Sequence, residues 1–154
     1  MGRTAATRRG ITSTVILLVA LLSLGLVQSP AFAATSLERQ MLRLTNASRV
    51  NHDVRRLRLD DVRTNKAHKH SAAMARAGEL YHTADPAGFY LRGVRWSKWG
   101  ENVGRTSGGL DGLQDAFMRS AVHRRNILDS RFKKVGVGVV RRGGTVWVTL
   151  FFYG

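Results

Sequence analysis

Val135-Gly136-Val137-Gly138-Val139-Val140-Arg141-Arg142-Gly143-Gly144-Thr145-Val146-Trp147-Val148-Thr149-Leu150-Phe151-Phe152 is the stretch on which the fold turns. Val135, Val137 and Val139 alternate with Gly136, Gly138 and Val140, and beyond Gly143-Gly144 the residues Val146, Val148, Leu150 and Phe152 alternate again. A period of two on both sides of a glycine turn predicts two antiparallel strands joined as a hairpin. Upstream, the apolar patterns have the helical period instead. Leu110, Leu113, Phe117 and Ser120 share a face, with Asp111 in the first turn, where a carboxylate suits the helix dipole. Val62, Ala67, Ser71 and Met74 form a narrow stripe after Asp60 or Asp61, either able to cap, and the alanines around them let a neighbouring element approach closely. Thr35-Ser36-Leu37-Glu38 has the form of a capping box ahead of Leu37, Met41 and Leu44. Asn46 and Arg49 on this first helix either anchor the chain internally or face water; spacing does not decide.

Helices first and a hairpin last require that the helices cover a small antiparallel sheet, an α/β layered domain with any further strand expected around 93–99. Residues 51–59 read as a break, 81–100 as a loop-rich connection with a turn at Asp85-Pro86-Ala87-Gly88, and 104–109 as a flexible glycine-rich stretch. Trp96 and Trp99, inside that connection, either cover a core edge or bind a sugar or lipid.

The chain has 154 residues and begins with Arg3, Arg8 and Arg9, an apolar run over 11–27, Pro30 and then Ala31-Phe32-Ala33-Ala34. This is the layout of a secretory signal peptide, with cleavage expected after Ala33. The run is short for a membrane span, at roughly 25 Å of helix against a hydrocarbon core of about 30 Å. Residues 1–33 are therefore read as leader and 34–154 as one secreted domain, held by packing alone because the chain has no cysteine.

Lys and Arg number 25 against 10 Asp and Glu. The basic residues come in groups: Arg55-Arg56-Leu57-Arg58, Arg124-Arg125, Lys133-Lys134 and Arg141-Arg142. For an exported protein the matching anions are cell-envelope polymers or lipid headgroups. Nucleic acid is not an expected partner, since no zinc finger, helix-turn-helix or RNP pattern accompanies the charge.

Four polar positions carry chemical interest: His82, Glu101, His123 and Asn126. Two imidazoles and a carboxylate either ligate a divalent ion with water in an open position, or form a base oriented by the glutamate. Spacing alone supports this weakly, as there is no His-Glu-x-x-His motif and no G-x-S-x-G elbow around Ser107, Ser120 or Ser130. His68 and His70 lie two apart on the second helix, point to different faces, and are read as surface or supporting residues.

Six segments, in order, carry a resemblance: residues 42–49 (LRLTNASR), 67–74 (AHKHSAAM), Tyr81-His82-Thr83, Gly100-Glu101-Asn102-Val103, residues 120–128 (SAVHRRNIL), and Val135-Gly136-Val137-Gly138-Val139 ahead of residues 147–152 (WVTLFF). Together they resemble the CAP superfamily, also called SCP or PR-1-like, in its short bacterial secreted form. The resemblance implies a three-layer α-β-α sandwich with a small, mainly antiparallel sheet, and a cleft whose floor carries His82, Glu101 and His123, with Asn126 supporting. In some relatives these positions hold zinc or another divalent cation. There are departures. Asp115 is no clean match for the second acid of many relatives, Phe117 stands where tryptophan is common, and Leu150 where glutamine is common. The family fixes no single reaction. Two readings follow: a non-enzymatic cleft for a small ligand, lipid or peptide, or an extracellular hydrolase using metal-bound or histidine-activated water.

Overall fold

The structure, a computed structural model, describes residues 1–2 and 34–154, so the expected leader lies almost wholly outside the described residues. From Ala34 onward the order is α1 (Ser36–Val50), β1 (Arg58–Leu59), α2 (Asp61–Ala77), α3 (Pro86–Leu91), β2 (Trp99–Thr106), α4 (Leu110–Arg119), α5 (Ala121–Leu128), β3 (Lys134–Arg142) and β4 (Thr145–Tyr153). The alternating segments form the β3–β4 hairpin, with Val139 opposite Val148 and the turn made by Gly143 and Gly144 at positive φ. Strand order is β1-β3-β4-β2, antiparallel except where β1 runs beside the start of β3.

The pleat divides β3 between two layers. Val135, Val137 and Val139 join Met41, Leu113, Phe117 and Ile127 in the larger core, under α1, α4 and α5. Gly136 and Gly138 point the other way, and a Cβ at either would collide with the backbone of Arg63 or Ala67. Their missing side chains let α2 lie directly on the strand. On that face Ala67, Tyr90, Leu91, Phe151 and Tyr153 pack together, joining α2 and α3 to β4. The result is the α-β-α sandwich, with the sheet as its middle layer.

Beyond the two residues of β1, side chains close the open edge of β3. Thr64 Oγ1 accepts from the Val137 amide at 3.2 Å, and Glu38 Oε1 accepts from the Val139 amide at 3.4 Å. Glu38 is thus both the capping-box acid of α1, accepting from the Thr35 amide at 2.7 Å, and a strand cap, with His68 Nδ1 at 2.8 Å completing its shell. A buried carboxylate is costly unless its oxygens are hydrogen-bonded.

Several expectations are corrected. The further strand is β2 over Trp99–Thr106, taking in part of the stretch expected to be flexible, because its backbone pairs along the whole of β4. The 51–59 break contains β1, too short to show alternation. Pro86 opens the short helix α3 with Asp85 as its cap. A fifth helix follows Ser120, where ψ of 118° ends α4 and re-aims the chain. Val62 is 59% exposed, so the inner stripe of α2 runs through Thr64, Ala67, His70, Ser71 and Met74.

Arg49 is fully buried and ties three segments together. Its Nε donates to the carbonyl of Arg55 at 2.7 Å, Nη1 to those of Ile127 and Asp129 at 2.6 and 3.0 Å, and Nη2 to that of Phe132 at 3.2 Å. Asn46 clamps Leu57 in both directions, at 3.1 and 2.7 Å. Both residues therefore act as internal anchors. Arg49→Met is expected to lower unfolding free energy by about 3–5 kcal/mol in urea denaturation, against under about 0.5 kcal/mol for Arg43→Met on the exposed side of the same helix.

Asp129, at the end of α5, is held well below the usual carboxylate range, chiefly by Arg131 at 2.8 Å, with Lys98 at 2.5 Å adding to it against the opposing effect of burial. Its contribution to stability is present above the unfolded value near about 3.9 and is lost as pH falls below it. Arg131 is largely exposed, so solvent screens part of the gain. Asp129→Asn should be less stable than the parent at neutral pH, with the difference in Tm closing as the pH is lowered through the acid range.

Candidate functional site

His82 follows α2 after the turn at Gly78, which ends that helix in the left-handed conformation. Glu101 lies on β2, opposite Phe151 of β4, so its position is fixed by the sheet. The two meet: His82 Nδ1 stands 2.9 Å from Glu101 Oε2. Thr83 completes the carboxylate's shell, its amide donating to Oε2 at 3.0 Å and its hydroxyl to Oε1 at 2.7 Å. Three of the roughly four lone-pair positions of Glu101 are thereby occupied. The carboxylate is sealed, at 2% exposure, whereas the His82 ring is 61% exposed. An ionised carboxylate only accepts, so Nδ1 of His82 carries the proton and a neutral ring leaves the Nε2 lone pair directed away from Glu101.

His123 stands on α5, near enough to feel the charge of His82, but lines neither of the hollows that His82 borders. Its Nδ1 lies 2.8 Å from Ser120 Oγ, and its ring packs on Phe117 with centroids 5.0 Å apart. Burial, and then the charge of His82, lower its pKa, so the neutral ring is favoured. Asn126 and Asn102 dock α5 on β2. Asn126 Nδ2 donates to Asn102 Oδ1 at 2.9 Å, and Asn102 Nδ2 to the His123 carbonyl at 3.0 Å. Asn126 thus holds His123 through the helix, its amide donating to Asn102 and to the Glu101 carbonyl.

A hollow of about 490 Å³ opens here, walled by His82, Thr83, Pro86, Trp99, Glu101 and Asn126. A second, about 390 Å³ and largely apolar, adjoins it across His82 and Thr83, walled by His70, Ala73, Tyr81 and Phe89. His70 is buried in its wall, its Nε2 donating to the Tyr81 carbonyl at 2.9 Å and its ring meeting that of Tyr81 edge-on. His68 serves Glu38, away from the cleft. Trp99 stacks on Phe151 and walls the first hollow, while Trp96 is 44% exposed. Asp115 is exposed on α4 and Gln114 is buried against Thr45 and Ser48, so α4 supplies no second acid to the His82–Glu101 pair. No group of three or more His, Cys, Asp or Glu among the described residues forms a ready metal cluster.

With this geometry, comparison with known proteins decides the family. The family model described as CAP, the cysteine-rich secretory protein family, matches residues 42–151. The chain belongs to the CAP family. It does so without a single cysteine. The uncharacterized protein YkwD of Bacillus subtilis is 27% identical over 124 residues, covering 77% of this chain and 48% of its own length. An extracellular SCP-domain protein of Bacillus anthracis is 29% identical with a TM-score of 0.64, covering 75% of this chain and 39% of that one. A cysteine-rich secretory protein of Staphylococcus aureus shares the fold at a TM-score of 0.65 and 19% identity, covering 76% of this chain and 38% of that one. This CAP domain therefore spans half or less of the length of these relatives.

Thr83, Asn102 and Ser120 stood in the quoted motifs without a role, since nothing in spacing shows which hydroxyl or amide will face a site. Tyr90 was missed altogether. Its hydroxyl is fully buried near Glu101, with no well-formed hydrogen bond among the described residues. Burial first, and then the Glu101 charge, push the Tyr90 phenol far above its usual range, so it keeps its proton. Thr83→Val removes one donor from a sealed carboxylate and should cost about 1.5–3 kcal/mol of stability by chemical denaturation, with Thr83→Ser recovering most of the loss.

Proposed function

We propose that the protein is an extracellular binding module whose cleft takes a small amphipathic ligand, with its polar end at His82, close to His123, and its apolar body against Tyr81, Phe89 and Ala73. The observation that carries this reading is the sharing of His82 between a polar and an apolar hollow. Such pairing of apolar walls with a few polar groups is the usual make-up of a small-molecule site. The leader pattern over 1–33 and the extracellular description of the Bacillus anthracis relative support a place outside the cytoplasm.

A divalent cation, zinc foremost, fits the two imidazoles in chemistry. Each ring has Nδ1 engaged, by Glu101 or by Ser120, leaving Nε2 as the donor, which is how ligating histidines are commonly oriented. Glu101 would orient His82 and not serve as a ligand, because Thr83 and His82 already hold it. A bound cation would supply positive charge for an anionic headgroup.

The hydrolase reading has less support. Among the described residues, Ser120 is the one hydroxyl hydrogen-bonded to a site histidine, its partner being Nδ1 of His123, and no second acid accompanies Glu101 to divide the roles of acid and base.

Equilibrium dialysis of the full chain with Zn²⁺, and titration with a fluorescent long-chain fatty acid, test the proposal. His82→Ala/His123→Ala should weaken Zn²⁺ binding at least about tenfold. Phe89→Ser should weaken the fatty acid and leave Zn²⁺ unchanged. Failure of the parent protein to bind either probe would sink this reading.

A further inference from the structure

Two basic groups far apart in the chain, Arg55-Arg56-Leu57-Arg58 and Lys133-Lys134, meet at one edge of the sheet, because β1 runs parallel to β3 with Arg58 level with Lys134. A hollow of about 400 Å³ opens among Arg55, Arg56, Arg58, Ser130 and Lys133. A second, of about 220 Å³, shares Arg58 and Lys133 with it and adds Arg95 and Lys134. No Asp or Glu side chain lines either hollow, and Gly154, which borders the second, has its carbonyl oxygen taken by Ser97 at 3.0 Å. The acids nearby are committed elsewhere, Asp129 to Lys98 and Arg131, and Asp60 to Tyr153 and Arg63. Among the described residues, Arg55, Arg56, Arg58 and Lys133 have no acidic partner.

Like charges level on neighbouring strands repel, so the fold holds this group together at a cost that a bound anion would relieve. The walls are fixed from beneath. Arg49 takes the carbonyls of both Arg55 and Phe132, and Asn46 clamps Leu57. The cations are thus presented from a braced backbone, which limits the ordering a ligand must impose.

We propose that this double hollow binds an extended polyphosphodiester chain outside the cell, one whose alcohol backbone carries a phosphate in each repeat. Guanidinium forks donate to phosphate oxygens bidentately, and two adjoining hollows suit successive phosphates of one strand. The two aromatic rings that line the hollows are unavailable to nucleic-acid bases. Phe132 and Tyr153 are buried, and Lys98 lies over the first while Arg63 and Lys134 lie over the second. Base stacking, on which single-strand binding depends, has no platform here. A bilayer fits less well, because the cations sit in concave hollows with no exposed large apolar side chain lining them to enter the acyl region. The surface shares no residue with the walls of the His82 cleft and stands independently of that reading.

Binding of the full chain to labelled poly(glycerol phosphate), followed by anisotropy over a range of salt, tests the assignment. Arg55→Gln/Arg56→Gln/Lys133→Gln is expected to bind at least about tenfold more weakly and to flatten the log K against log salt slope by about 2. Arg76→Gln/Arg141→Gln/Arg142→Gln removes the same formal charge at the far ends of α2 and β3, and should stay within about twofold of the parent. All six side chains are exposed, so both variants should keep the parent's far-UV spectrum and neither should fall below its Tm. Equal losses in the two variants would overturn the proposal, as only diffuse charge would then be at work. So would tighter binding to a single-stranded oligonucleotide or to phosphatidylglycerol vesicles than to the polymer.

Discussion

A guanidinium sealed from water is costly unless its donors are used, and Arg49 uses them on four backbone carbonyls from three segments. Two of those carbonyls, of Ile127 and Asp129, lie at the end of α5, where the helix leaves its last carbonyls without internal partners. The planar fork does what a lysine's point charge cannot, reaching carbonyls in several directions at once. Because α5 carries His123 and Asn126, this contact also sets one wall of the cleft. The same guanidinium takes the carbonyls of Arg55 and Phe132, and so braces the basic edge. Cleft and charged edge lie apart in the molecule and depend on one buried side chain.

Two buried glutamates illustrate how alike a structural site and a functional one can be. Glu38 is held by a backbone amide at its helix cap, a strand amide and His68, and Glu101 by the Thr83 amide, the Thr83 hydroxyl and His82. In both, an imidazole joins a buried carboxylate to the surface. What separates them is what lies beyond the ring. Glu38 and His68 close the open edge of β3, whereas His82 borders two hollows and lies close enough to His123 to depress its pKa.

The readings that succeeded rest on local physics. Alternation around Gly143-Gly144 gave the hairpin, and the Thr35–Glu38 spacing gave the start of α1, because each depends only on neighbours in sequence. Readings that missed depended on partners elsewhere. β1 is too short to have a pattern, and it exists because the start of β3 supplies its hydrogen bonds. Trp99–Thr106 contains glycines and polar residues that read as a loop until β4 pairs with it. Ser120 belongs to the apolar face of α4 by period, yet ends that helix and turns its hydroxyl to His123. Of the site, His82, Glu101, His123 and Asn126 stood out as polar positions and were joined in one cleft only through family resemblance, while Thr83, Asn102 and Tyr90 acquired roles only from their neighbours.

By itself the sequence determined the order of helices and hairpin, the strand glycines that let a helix lie against the sheet, and the excess of cations without a disulfide to hold them. Those properties are set by each residue's own size, charge and period. The tertiary structure alone decided that Glu101 would be sealed while His82 stayed open to solvent, and that two basic groups would lie side by side. Burial and charge proximity are properties of pairs separated by long stretches of chain, and they take values only when β1 aligns with β3 and α5 docks on β2.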